Sequence, residues 1–182
     1  MSIYNRHADD YFERYEQVET ENVHSDWLSL LPSTQLLVLD VGAGSGRDAA
    51  WFANQDHEVV AVEPADALRQ RAKAHHSSPR IQWVDDRLPG LEAVHDLDYR
   101  FDLILLNGVW MHVPPSSRER AFRKLTTLLK PGGHLVVSLR SEQPDDGRTA
   151  YSTSVAELRH LSRSRALEFL QDTDSHDQLG RK

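Results

Sequence analysis

The 182-residue chain carries 39% hydrophobic and 27% charged residues, a balance that suits a single folded domain with a real core and excludes a disordered polymer. It has no cysteine, which removes disulfides and thiolate metal sites, and its formal net charge of −7 without a dense Lys/Arg cluster argues against a nucleic-acid partner. No apolar run approaches the ~20 residues that cross a bilayer, and the polar opening MSIYNRHADDYFERYE is no signal peptide, so no membrane contact and a cytoplasmic location are expected.

Ile3, Tyr4, Tyr11, Tyr15 and Val18 recur at a loosely helical spacing, and SDWLSLL predicts a second short helix that starts with Ser25 as N-cap and stops at Pro32. The strand LLVLDV runs through glycines into a helix over roughly 46–54, and HEVVAVEP is a second buried strand halted by Pro64. ADALRQRAKAHH follows as a helix, then RIQWVDD as a third strand and YRFDLILLNG as a fourth, its core FDLILL too continuously apolar to be half exposed. His75 and His76 raise the question of a metal, but an adjacent pair lacks i, i+4 spacing or a nearby carboxylate pattern, so a solvated pair and no metal site are expected.

In PPSSRERAFRKLTTLLKPGG, Ser116 and Glu119 offer a capping box, Phe122, Leu125 and Leu129 share a face, and Pro131-Gly132-Gly133 ends the helix. HLVVSLR is a fifth strand, SEQPDDGRTAYSTS a polar loop, SVAELRHLSRS a helix capped by Ser154 and Glu157, and ALEFLQDTD a sixth strand. Alternating strands and helices predict an α/β fold: a Rossmann-like, doubly wound, mostly parallel sheet with helices on both faces and ligands at the carboxyl ends of the strands.

The stretch LLVLDVGAGSGRDAAWFA places three glycines between a strand and a helix, where unpaired helix N–H groups and glycine backbone can cradle a ligand. Arg47 stands where a dinucleotide loop would carry its third glycine, and Gly46-Arg47-Asp48 replaces the G-K-[ST] ending of a phosphate loop, so NAD and nucleotide-triphosphate readings both fail.

Five motifs in order, VLDVGAGSGRDA, VVAVEPA, IQWVDDRLPGL, FDLILLNGVWMHVPP and LLKPGGHLVVSLR, resemble the class I S-adenosylmethionine-dependent methyltransferases, in their methyltransferase-11/25-like branch. The resemblance implies S-adenosylmethionine as cofactor, with S-adenosylhomocysteine as product. It implies a cofactor site built from Asp40, Gly42, Ala43, Gly44, Gly46, Glu63, Pro64, Asp85 or Asp86, Asn107 and Gly108. Asp40 matches the acid near the methionine portion, Glu63 the acid that accepts from the ribose hydroxyls, and Asp85 the acid that accepts from the adenine amino group, with Asp86 as its rival. Asn107 and Gly108 border the methyl-transfer chamber. Each acid also has a plainer role open to it: Asp40 can cap the glycine turn, Glu63 can be a surface turn residue, Asp85 and Asp86 can be solvated loop residues, and Arg47 with Asp48 can be binding residues or a cap or surface salt bridge.

Methyl transfer from a sulfonium needs alignment above all, and a base only for a protonated nucleophile of high pKa. His112 is the base candidate, with a packed loop histidine as the alternative. Trp110 and Met111 wall the pocket or fill the core, and Tyr4, Tyr11 and Tyr15 form a lid or an ordinary buried face. The fourth motif lacks the signatures of amino- and cytosine-methylating nucleic-acid enzymes. With the net acidity this favours a small-molecule acceptor, and the motif resembles the tellurite-resistance-like and ubiquinone-biosynthesis-like branches. The alternatives are methylation of protein or RNA, guided by a missing C-terminal domain or a partner, and a non-catalytic cofactor-binding module.

The expected organisation is one methyltransferase domain, with an N-terminal helical lid at 1–34, a cofactor-binding core at 35–140 and a partial substrate-side region at 141–182. The family's seventh strand has no counterpart, so the sheet is expected to be incomplete, with a dimer or a further domain completing it.

Overall fold

The computed structural model describes residues 3–140 and 147–173. The predicted loop residues 141–146 and the ending from 174 onward lie outside that range. Five strands, β1 (Leu37–Val41), β2 (Glu58–Val62), β3 (Ile81–Val84), β4 (Phe101–Leu106) and β5 (Leu129–Val137), form one parallel sheet in the order β3-β2-β1-β4-β5. The Rossmann-like expectation holds in its core.

Alternate residues of each strand feed two apolar layers, as the two-residue period of a strand requires. Leu39, Val41, Val60, Val62, Ile104 and Leu106 pack with Val94 of α6 (Glu92–Asp96), with Phe122 and Leu125 of α7 (Pro115–Leu128), and with Leu158 and Leu161 of α8 (Val155–Arg163). Val38, Val59, Ala61, Leu103 and Leu105 pack with Ala49 and Phe52 of α4 (Arg47–Asn54) and with Trp27 and Leu28. A smaller cluster joins Tyr11 and Phe12 of α2 (Ala8–Glu16) to Leu68 and Ala72 of α5 (Asp66–His75). No helix among the described residues is long and apolar enough to cross a membrane.

Several elements differ from expectation. The first helical run breaks at His7 into α1 (Ile3–Arg6) and α2, and a short helix α3 (Thr20–His24) precedes the one expected at Ser25. Ser25 caps the C-terminus of α3, leaving SDWLSLL a single 3₁₀ turn at Leu28–Leu30, because Thr20 and His24 are fixed by hydrogen bonds to Asp48. The capping box at Ser116 does not form. Pro115, with its preset φ and no N–H to satisfy, takes the first helical position and draws Ser116 inside. Leu129 already belongs to β5, and the register shift between its pairing with Phe101 and that of His134 with Leu103 takes up Pro131-Gly132-Gly133. At α8 the cap is half as predicted: Ser154 accepts from the Glu157 N–H at 3.2 Å, while the Glu157 carboxylate turns to Arg118.

No sixth strand forms over the described part of ALEFLQDTD. No described residue pairs with the outer edge of β5, so residues 166–173 have no ladder to join. They are held instead by Leu167 and Phe169 against the core, by Arg159 over the Phe169 ring at 3.9 Å, and by Gln171 donating to the Asp26 carbonyl at 3.0 Å.

Candidate functional site

The chain runs outward from β1 through β2 to β3 in one direction, and from β4 to β5 in the other. The crevice at this switch, at the carboxyl ends of the strands, opens into a cavity of about 1310 Å³ lined by Asp40, residues 42–45 of the glycine loop, Glu63, Asp86, Asn107 and His112 among others, whereas Gly46 faces Trp83 and His76. Gly42 and Ala43 both donate to the Val62 carbonyl at 2.8 Å, folding the loop over the end of β2. Gly42 and Gly46 are needed by the protein's own packing. Both have φ above +70°, and a Cβ at either would stand 2.6 Å from Val109 or Trp83 respectively. Gly44 faces the Tyr15 ring, so α2 lies across the loop.

Glu63 is not a surface turn residue. It is buried, and its two carboxylate oxygens accept separately from the Gly44 N–H at 3.0 Å and the Ala65 N–H at 2.7 Å. Burial pushes its carboxyl up to about 7, against the lowering effect of those two amides. Asp40 is also buried, with Oδ2 lacking a hydrogen-bond partner among the described residues. Burial first, and then the nearby charge of Asp48, pushes it well above the usual carboxylate range.

Asp48 behaves in the opposite way. Its Oδ1 accepts from Thr20 Oγ1 at 3.0 Å and Arg47 Nε at 2.9 Å, and its Oδ2 from His24 Nε2 and Asn107 Nδ2, both at 3.0 Å. Burial alone would raise its pKa, but these donors and the Arg47 charge hold it far below the usual range. The expected surface pair is thus a buried hub. The only local signal for it was an acid in the first turn after the glycines, since Thr20, His24 and Asn107 lie 28, 24 and 59 positions away.

Of the two adjacent acids after β3, Asp86 lines the cavity and Asp85 pairs with Arg69 at 3.2 Å on the exposed surface. Asp86 accepts from the N–H groups of Arg87 at 2.7 Å and Val94 at 3.0 Å, which fixes α6, a helix the sequence did not announce. Pro64 and Gly108 also line the cavity. Gly108 N–H donates to Ser138 Oγ at 2.7 Å, and that hydroxyl donates to Asn107 Oδ1 at 3.0 Å. His112 Nδ1 lies 2.7 Å from the Thr149 carbonyl, which can only accept, so Nδ1 carries the proton and Nε2 accepts from the Tyr4 hydroxyl at 3.1 Å. Trp110 and Met111 are core residues.

The methyltransferase-domain family model matches residues 38–133, which hold β2, β3, β4, nearly all of β1, the start of β5 and the cavity residues from Asp40 to His112. A ubiquinone biosynthesis O-methyltransferase of Alkalilimnicola ehrlichii is 30% identical over 108 residues, 59% of this chain and 42% of that protein. The chain spans less than half the length of the curated relatives it matches. Among solved structures, a TehB-like S-adenosylmethionine-dependent methyltransferase of Corynebacterium glutamicum superposes with a TM-score of 0.64 at 21% identity, covering 87% of this chain and 82% of the other. The 1,6-didemethyltoxoflavin N1-methyltransferase of Burkholderia thailandensis, with its substrate and S-adenosylhomocysteine bound, gives 0.57 at 25% identity and 87% and 75% coverage. With more than half its length matched by the family and its fold shared with these enzymes, the chain belongs to the class I S-adenosylmethionine-dependent methyltransferases.

Proposed function

We propose that the cavity binds S-adenosylmethionine through the residues named above and that the chain methylates a small molecule. The observation that carries the reading is Glu63, fixed at the tip of β2 by two backbone amides, each oxygen keeping lone-pair capacity for a ribose hydroxyl. Three buried acids, Asp40, Asp48 and Glu63, line the cavity at the glycine loop, and Arg47, the arginine beside them, is already paired with Asp48, an arrangement that supports a cationic ligand at this end of a cavity whose wall also carries Arg87, Arg140 and Arg148.

When bound, the cofactor supplies a sulfonium methyl already activated for in-line displacement. Glu63 accepts from the ribose diol, Asp86 from the adenine amino group, and Asp40 with the loop amides faces the methionine portion. Asn107 and Gly108, braced by Ser138, shape the wall on the acceptor side. His112 Nε2 takes the acceptor's proton once the acceptor group replaces the Tyr4 hydroxyl. Helices α1 to α3 act as the lid, and Tyr4 and Tyr15 supply its inner face. The small-molecule reading is supported by the names of the relatives and by the net charge of −7.

Calorimetric titration with S-adenosylhomocysteine should show saturable binding, and NAD should show none. Glu63→Ala should weaken that binding by about 1 to 3 kcal/mol, the cost of leaving hydroxyls unpartnered. A folded variant with unchanged affinity would remove Glu63 from the site.

A further inference from the structure

The C-terminal ends of α2 and α5 meet beside the glycine loop. Adjacent residues of a regular helix point about 100° apart and do not share a ligand. His75 is the last residue of α5, but His76 leaves the helix with φ −106° and ψ 76°, and the two imidazole rings come to 4.6 Å between centroids. Glu16, the last residue of α2, approaches the same point, with Oε1 3.3 Å from His76 Nε2. One ligand atom from each of the three residues lies within 4.8 Å of the other two.

We infer that Glu16, His75 and His76 form a binding site for a divalent transition-metal ion of the zinc type, which clasps α2 to α5. Two imidazoles and a carboxylate are a set that zinc accepts, with water in the fourth position. Calcium and magnesium require more oxygen ligands than these residues supply. Ligands about 2.0 to 2.2 Å from a tetrahedral ion stand roughly 3.3 to 3.6 Å apart, so Glu16 and His76 are already at that spacing. His75 is exposed and closes the remaining gap by side-chain rotation.

The consequence of such a clasp is local. Glu16 is hydrogen-bonded to Ser45 of the glycine loop, and His76 Cδ2 lies 3.1 Å from where a Cβ on Gly46 would stand. An ion held here fixes α2 across the loop without touching the cavity acids, so the site stands whether or not the cofactor assignment is correct.

The test titrates the full-length, untagged chain with Zn²⁺ by calorimetry and with Co²⁺ by visible absorption. The expected result is saturable binding of one ion, ligand-field bands characteristic of low coordination number, and a higher Tm. Glu16→Gln, His75→Ala and His76→Ala should each weaken binding at least about tenfold. Because His75 is exposed, His75→Ala keeps the fold and the test remains decisive. Absence of saturable binding, or binding that any one of the three substitutions leaves unchanged, overturns the site.

Discussion

Asp48, beside the glycine loop, accepts hydrogen bonds from four side chains that belong to α3, α4 itself and the end of β4. Glu157, on α8, accepts from Arg118 at 2.8 and 3.1 Å and weakly from Trp110 at 3.4 Å, and its side chain remains 28% exposed. The loop region is thus tied by a polar network centred on a buried carboxylate. Residues 147–173 are attached by apolar contacts, one half-wet ion pair and scattered hydrogen bonds, several of them at exposed positions such as those of Gln171 and Thr173 to Asp26. The first region has little freedom left in its geometry, and the second is the part where change is cheap.

The same chemical change, carboxylate to amide, tests this contrast in both regions. Asp48→Asn should be the most damaging, at about 3 to 5 kcal/mol, because an amide turns a donor toward His24, Thr20, Asn107 or Arg47 and withdraws the charge that Arg47 neutralises. Urea unfolding measures it. A cost below about 1 kcal/mol would mean that the network rearranges freely, and the contrast would disappear.

Legibility follows the same division. The glycine loop, the acids at the strand ends and the alternation of strands with helices were visible because each depends on local pattern: a two-residue or continuous apolar period, or a turn that only glycine permits. The hub at Asp48 was not visible, since three of its four partners come from two distant stretches, α3 and the end of β4. Glu16 is likewise 60 positions from His76, so the text of the histidine pair says nothing of it. Two local rules competed at α7, and Pro115 prevailed over the Ser116 cap because its φ is fixed. The strand pattern of ALEFLQDTD was sound as pattern, but a strand needs a neighbour, and none stands beside β5 among the described residues.

Next in size is the pH dependence carried by Glu63. Its carboxyl sits at about 7 in the folded chain against 4.5 ordinarily, because burial disfavours the charge. Between those values the folded state binds more protons than the unfolded state, so stability contributed by Glu63 is present at low pH and lost as pH rises toward 7 and beyond. The gap corresponds to about 3 kcal/mol. Relative to Glu63→Gln, the wild-type chain should therefore lose roughly that much stability between pH 4.5 and pH 8. Comparing the two proteins cancels the groups that do not feel Glu63, while Asp40, which the Glu63 charge helps to raise, contributes part of the difference. A stability difference that stays constant with pH would show a carboxyl ionised throughout, and the loop region would then be less dry than its burial indicates.

The smallest effect is expected at Glu157→Gln. The amide keeps one acceptor for Arg118 but not the charge, and partial exposure screens what is lost, so the cost should be about 1 kcal/mol. What should change is local: Arg118 stays anchored by donating from Nε to the Val113 carbonyl at 3.0 Å, while α8 loses its main polar tie to α7. Amide exchange should accelerate in residues 155–163 and leave β1, β2 and the glycine loop unaffected. Acceleration that spread to β1 would show the two regions to be one cooperative unit, with the ion pair at α8 helping to hold the loop that surrounds Asp48.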